Sequence, residues 1–302
     1  MADNFDEKIV GQAELSESAS DSTEEKTFDK DEFKRIKREE RNAAYALADA
    51  ELEKIRTNPD ELSKYLDTQA NLPRYAVTNA LLITAQLPGA KKLKSFADWR
   101  AQNVSVKRGS RAITVLDGAE YVRGDGTTAI GFTAKRVFDV SQTTDRAPAA
   151  PSKVDDPRAE IAALAGAVPY AVVATDTPPA PDTLALYDNK TQTINCMRSS
   201  DTAELFRQLT REAAHAELAT TVTAYGREEQ AFAADCAAYM LCRRYGATPP
   251  PVPQVPAQLD AKALKSDLSR AAVAVRTTNE RVYEYARSQA KSKTTSEIDV
   301  AV

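Results

Sequence analysis

"REAAHAEL", residues 211–218, is the stretch on which the reading of the fold turns. It has the frame of H-E-x-x-H with one change. Arg211 stands where the first histidine would be, while Glu212 and His215 are in place. In that motif the two histidines lie at i and i+4, on one helical face, and share one Zn²⁺. The glutamate beside the first histidine acts as general base on the zinc-bound water. A guanidinium is always protonated and offers no lone pair, so Arg211 cannot ligate, and its charge repels a divalent cation. His215 and carboxylates such as Asp235 remain, a poor zinc set. His215 is also the single histidine of the 302-residue chain, so a site with two or three histidine ligands cannot be built within it. The expectation is a pair of vestigial metal ligands, His215 and Asp235, and a vestigial base, Glu212. Zinc is disfavoured, no other cofactor is expected, and peptidase activity is not expected. Read without the motif, His215 is a polar-face histidine on an alanine-rich helix.

The surroundings of the stretch give it a context. "TLALYDNKTQTINCM" (183–197) reads as a hairpin turning at Asp188-Asn189-Lys190. A helix follows from about Ser200, with Ser200 or Asp201 as its cap. "EEQAFAADCAAYMLCRRYG" (228–246) is a further helix with Gly246 near its C-terminus. A hairpin, a helix with E-x-x-H and a helix with an acid follow the order of a small zincin. Ahead of them lie a short helix in "EIAALAGA" and a strand in "PYAVVA"; residues 258–290 form a last, long helix.

The first half of the chain is organised differently. Phe33 to about Arg56 is rich in Ala, Glu, Lys and Leu without Gly or Pro, a helix. "TNPDEL" restarts one, with Asn58 as cap and Pro59 at the first helical position. "VTNALLITAQ" is a buried helix, and "SFADWR" a short amphipathic turn around Phe96 and Trp99. Then come a strand at Ala112–Leu116 and two strands joined at Gly124-Asp125-Gly126, a hairpin signal. The expected fold class is α+β. Residues 1–30 are a disordered acidic tail, and 31–146 a helical and antiparallel-sheet domain. A Pro-rich linker at 147–157 leads to a zincin-like α+β domain at 158–290 and a flexible tail at 291–302.

Charge is distributed unevenly. The net charge of −4 at pH 7 conceals a segment 1–32 with eleven acids against three bases, net −8. Residues 72–146 hold twelve bases against six acids, net +6. Local charge decides partners more than the sum does, and that basic segment suits nucleic acid. No apolar run approaches the ~18–20 residues that span a bilayer, so no membrane partner is expected. The unclustered Cys196, Cys236 and Cys242 fit a reducing, cytoplasmic setting better than a disulfide framework.

"TNALLITAQLPGAKKLKSFADWRAQNVSVKRGSRAITVL" (78–116), followed by "GFTAKRVFDVSQT" (131–143), resembles the N-terminal domain of the ArdC-type, or LtrC-like, antirestriction proteins of plasmids and phages. The landmarks are N-A-x-L-I-x-x-Q-x-P-x-A, the Trp of "SFADWR", V-K-R-G before a strand, and V-F-D-V-S-Q. "AADCAAYMLCRRYG" looks like a later segment of the same family, with Asp235 where the family has a metal-binding Glu. The resemblance spans about residues 35 to 287. It implies a first domain that binds single-stranded DNA and a role in protecting incoming DNA from restriction, with a host restriction or defence protein as a further partner. Arg211 and Asp235 depart from the family pattern and put peptidase activity in doubt.

The residues themselves support the binding half of that implication. Lys and Arg attract phosphates and release counterions. Exposed rings stack on bases without needing a particular sequence. Lys107, Arg108 and Arg111, around Gly109, are the first candidates for DNA contact; Lys91, Lys92 and Lys94 come next, then Arg74, Lys135 and Arg136. Trp99 has two readings, a stacking platform or a core anchor. Phe96 and Phe138 are expected in the core, while Tyr75, Tyr121 and Phe132 are further aromatics among the bases. Two other functions compete: a metallopeptidase built on His215, Asp235 and Glu217 or Glu228, and an inhibitor whose acidic N-terminus mimics DNA and blocks a host enzyme.

Overall fold

Helix α1, Lys30–Thr57, starts where the Asp29 carboxylate accepts the N–H groups of Asp31 and Glu32 at 3.0 and 3.1 Å. The computed structural model describes residues 29–146, 153–154 and 156–300, with side chains to residue 289. The acidic tail up to residue 28 and most of the linker lie outside the described residues. Asn58 ends α1 and opens α2, Pro59–Asn71: its side chain accepts the Asp60 N–H at 2.9 Å, and Pro59 takes the first position, where a missing N–H costs nothing. Helix α3, Val77–Gln86, is buried along most of its length, as "VTNALLITAQ" demands.

Strands β1 (Leu93–Lys94), β2 (Ile113–Val122) and β3 (Thr128–Asp139) form an antiparallel sheet in the order β1-β3-β2, with the short helix α4 (Phe96–Arg100) after β1. The two expected strands at Ala112–Leu116 and in "AEYV" are one strand. β2 runs unbroken through Asp117-Gly118, with Gly118 opposite Phe132. A β-carbon at Gly118 would come within 3.3 Å of the Ile130 and Phe132 side chains, so this glycine admits close neighbours and does not end the strand.

The second half comprises α5 (Arg158–Ala167), β4 (Ala171–Thr175), β5 (Ala185–Asp188), β6 (Thr193–Met197), α6 (Thr202–Thr221), α7 (Ala231–Arg244) and α8 (Ala261–Val300). Its sheet is mixed: β6 pairs antiparallel with β5 and parallel with β4. Asp201 caps α6 by accepting the Glu204 N–H at 2.9 Å. The backbone of α8 continues ten residues past the expected end at 290, and the added stretch holds no Gly or Pro to stop it. The fold is α+β, as the patterning implied.

The largest hydrophobic core crosses the linker. Leu52 and Ile55 of α1, Leu62 and Leu66 of α2, and Leu81 and Leu82 of α3 pack in one cluster with Met240 and Leu241 of α7 and Leu264, Leu268 and Val275 of α8. Polar contacts reinforce the seam between α2 and α7. Arg243 grips the Asp67 carboxylate with Nε at 2.8 Å and Nη2 at 3.1 Å, and Arg244 donates to the Ala70 carbonyl. A second core lies between α5, α6 and the mixed sheet, and a third small one under the β2–β3 sheet, around Ile83, Ile113, Val115 and Val137.

Truncating either side of the shared core tests its unity. Leu81→Ala and Met240→Ala are each expected to cost about 2–5 kcal/mol. In both variants the Trp99 near-ultraviolet signal, which reports the first half, and the His215 imidazole resonance, which reports the second, should be lost at one common, lowered temperature. Two separate midpoints would show that the halves unfold independently.

Candidate nucleic-acid interface and the polar cluster of the motif helix

The segment V-F-D-V-S-Q, residues 137–142, organises the basic face. Asp139 closes β3 and is buried. Its Oδ1 accepts the N–H groups of Lys91 and Lys92 at 2.7 and 2.9 Å, and its Oδ2 accepts that of Ser141 at 2.8 Å. Gln142 completes a capping box by accepting the Asp139 N–H through Oε1 at 2.8 Å. The Gln142 Nε2 donates to the Arg111 carbonyl at 2.7 Å, and its own carbonyl accepts the Lys107 N–H at 2.8 Å. One Asp–Gln pair therefore holds both basic segments, 91–94 and 107–111. Burial pushes the Asp139 carboxyl upward, but the hydrogen bonds from Lys92, Ser141 and Lys91 outweigh it and hold it below the usual value.

Residues 107–110 form a turn closed by the Ser110 N–H on the Lys107 carbonyl at 3.2 Å. Gly109 takes φ +83°, a conformation that favours glycine. The turn projects Arg108 to solvent, and Arg111 is exposed beyond it. Neither is paired with an acid among the described residues. Lys107 is exposed, and its Nζ donates to the Ser141 carbonyl at 2.9 Å. Lys92 and Lys94 place their ammonium groups 5.1 and 5.2 Å from the Trp99 ring, and Lys92 also lies 3.3 Å from Asp145.

The aromatics divide differently from expectation. Trp99 is fully buried, with its indole N–H donating to the Phe138 carbonyl at 2.9 Å, so it is a core anchor and no base can stack on it from there. Phe96, expected in the core, is 55% exposed and stands edge-on to Phe138 with centroids 6.4 Å apart. It sits at the first position of α4. Phe132 is 39% exposed on the hairpin, and Tyr121 is buried.

Lys135 and Arg136 do not share a face, because side chains alternate along a strand. Lys135 pairs with Asp117 at 3.0 Å, while Arg136 reaches back to Glu40 of α1 at 3.8 Å. Arg136 thus lies on the opposite face of β3 from Lys135 and remains largely exposed. Arg74 is exposed after α2, and Lys91 is half-buried.

The motif helix carries a polar cluster. Glu212 is buried: its Oε2 accepts the Tyr187 N–H from β5 at 2.8 Å, and its Oε1 receives Arg227 Nη2 at 2.5 Å and Arg211 Nη1 at 3.4 Å. Arg211 Nε lies 2.5 Å from Asp235 Oδ1 on α7. Arg211 thus reaches both Asp235 and Glu212. His215 is fully buried, with the Tyr225 hydroxyl 3.0 Å from Nδ1; its Nε2 is buried without a hydrogen-bond partner. Burial, followed by the nearby Arg227 and Arg211 charges, drives the imidazole down to about 3, so it is neutral at pH 7. Glu217 is buried on α6 and taken by the Tyr170 hydroxyl and Arg281 of α8.

These residues do not fit a divalent cation. Glu212 and Asp235 each already hold a guanidinium, and Arg211, beside both, carries a charge that repels a cation. Among the described residues, no three His, Cys, Asp or Glu side chains are placed to hold a metal. Arg211 touches both Glu212 and Asp235, and its charge, with that of Arg227, acts on His215. Sequence reading missed Arg227 and Tyr225, which sit on an irregular loop without periodicity to mark them. Asp139 and Gln142 were legible in principle, since D-x-x-Q is a capping-box pattern.

No protein-family model matches the chain, and no curated protein does. Solved structures match it. The metal-free crystal structure of the antirestriction ArdC protein from plasmid R388 aligns with TM-score 0.52 at 17% identity, over 80% of this chain and 98% of that one. The Mn(II)-bound structure of the same protein aligns with TM-score 0.54 at 15% identity, over 79% and 97%. The chain thus shares the ArdC fold across both halves. No helix among the described residues is long and apolar enough to cross a membrane.

The Asp139 clamp makes a pH-dependent prediction. Its folded carboxyl sits below the unfolded value of about 3.9, so its stabilisation is complete above that pH and is lost as pH falls through the folded value. Asp139→Ala should lower Tm at pH 7, and the gap to the parent chain should close as melts are repeated below about pH 4. An unchanged gap at low pH would remove the charged carboxylate from the account.

Proposed function

We propose that this chain binds single-stranded DNA through the face built by loops 91–94 and 107–111, and that it serves antirestriction by protecting incoming DNA. The observation that carries the reading is the convergence of both basic segments on the Asp139–Gln142 pair. That pair fixes Lys107, Arg108 and Arg111 beside Lys91, Lys92 and Lys94. Cations held in place by backbone hydrogen bonds lose little entropy on meeting a phosphate backbone, and counterion release supplies the driving force. Phe96, more than half exposed beside Lys94, is the ring on which a base would stack. Arg74 and Lys135 flank the face. The likeness to the ArdC fold supports the antirestriction role, and a host restriction or defence protein is the further partner. The α6–α7 half is a zincin-like domain without peptidase activity, because its base and its carboxylate ligand are both held by arginines.

Fluorescence anisotropy with labelled single-stranded and duplex oligonucleotides across a salt series tests this. Tighter binding to single strands is expected, with a steep salt dependence. Lys107/Arg108/Arg111→Ala should weaken binding and reduce the slope of log K against log salt by about 0.7 for each phosphate that is no longer neutralised. Phe96→Ala should cost about 1–3 kcal/mol of binding with the slope unchanged. Absence of binding at low salt, with residues 1–30 removed as well, would overturn the reading.

A further inference from the structure

We infer that two guanidinium groups, those of Arg211 and Arg227, stand in this fold for a divalent cation, so that the cluster around His215 carries its counter-charge within the chain. The inference rests on the zincin-like reading of α6 and α7 and is independent of DNA binding. Three observations carry it.

The first is charge balance. Glu212 and Asp235 together bring two negative charges, and Arg211 and Arg227 bring two positive ones, the charge of one divalent ion. Glu212 is almost wholly buried, and a buried carboxylate without a cation is costly. A chain that lost a metal-ligating histidine without gaining these arginines would leave that carboxylate unpaired.

The second is position. Arg211 occupies the first-ligand position of the motif helix and reaches Asp235 on α7 at 2.5 Å, bridging the two helices that a shared ion would join. Arg227 enters from the loop between α6 and α7 and meets the Glu212 oxygen that the Tyr187 N–H leaves free.

The third is His215. Its Nδ1 is held by the Tyr225 hydroxyl, the outer-shell hydrogen bond that orients a metal-binding imidazole and leaves Nε2 to the metal. Here Nε2 is fully buried and unpartnered. The imidazole keeps the orientation of a ligand while the charge it would have met is supplied by arginine.

The single histidine makes the test direct, because a ¹⁵N-histidine-labelled chain yields resonances from His215 alone. Titration of the full-length chain with Zn²⁺ should leave the His215 Nε2 signal in place, and Mn²⁺ should not broaden it. The double variant Arg211→His, Arg227→Ala removes both guanidiniums and restores a second histidine. It should bind one Zn²⁺ per chain, shift the His215 Nε2 resonance, and gain a Tm that falls on adding a chelator. A shift or broadening in the parent chain at one equivalent overturns the inference and leaves the zincin-like reading standing. A folded double variant that ignores both metals overturns the inference and the zincin-like reading together.

A double-mutant cycle stands apart from whether that variant folds. Arg211→Met and Asp235→Asn should each lower Tm by about 2–4 °C. The combined variant should lose clearly less than the sum, because the two charges compensate each other. Strict additivity would overturn the inference.

Discussion

Everything functional in this chain hangs on a helical core that ignores the linker. Leucines of α1, α2 and α3 pack directly against α7 and α8, and a fully buried leucine contributes about 1.5–3 kcal/mol. That core is the floor for both sites. On one side it carries α3, whose Asn79 and Gln86 side chains hold β2 by paired hydrogen bonds to the backbone of Leu116 and Thr114. On the other it carries α7, which presents Asp235 to the motif helix. The alanines of α7 (Ala233, Ala234, Ala237 and Ala238) are all buried, and small residues let neighbouring helices approach closely. Each site draws its residues from one half, while the core beneath them is shared.

From that floor, the basic face is built by an economical device. A loop rich in lysine and arginine repels itself and would spread in solution. Here two such loops are drawn together chiefly through their backbone groups. A buried carboxylate accepts N–H groups from one loop, and the neighbouring glutamine ties the carbonyl and N–H of the other. The lysine side chains of 91 and 92 are not consumed by Asp139, because their main-chain N–H groups are what it holds. The negative charge that organises the face is buried beneath it, whereas an acid on the surface would compete with phosphate.

The helices were legible because their punctuation was chemical: Asn58 and Pro59, Asp201, and the stretch from Phe33 without Gly or Pro each mean one thing. Where the reading and the structure differ, the reason is tertiary context. Gly118 looked like a strand break because a glycine carries no sign of what lies opposite, and only the register with Phe132 shows that it makes room. Phe96 and Trp99 share a short amphipathic helix, and of the two rings it is Phe96, expected in the core, that the structure leaves exposed. Strand parity sets Arg136 toward α1 and Lys135 to the other face, a distinction that adjacency in the sequence does not show. In the motif helix, Arg211, Glu212 and His215 were readable because helical spacing places them together. Arg227 arrives from a loop, and nothing in the sequence ties a loop position to a helix position.

The net charge of −4 misleads for a physical reason that the structure exposes. The acids of α1 are largely matched on their own helix: Arg35 with Glu32 and Glu39, Lys37 with Glu40, Lys54 with Glu51, and Arg56 with Glu53. Glu51 apart, which is buried, these pairs are open or partly open to solvent, and pairs of that kind stabilise little. They do, however, cancel one another's field at a distance. The charges of the polar cluster cancel likewise, Arg211 and Arg227 against Asp235 and Glu212. Among the described residues, Arg108 and Arg111 on the 107–111 loop are exposed without an acidic partner, and the lysine ammonium groups over Trp99 lie on the same domain. At physiological salt the screening length is about 8 Å, so acids elsewhere on the surface do not offset this face. A phosphate approaching it meets a local positive potential, whatever the sign of the whole chain.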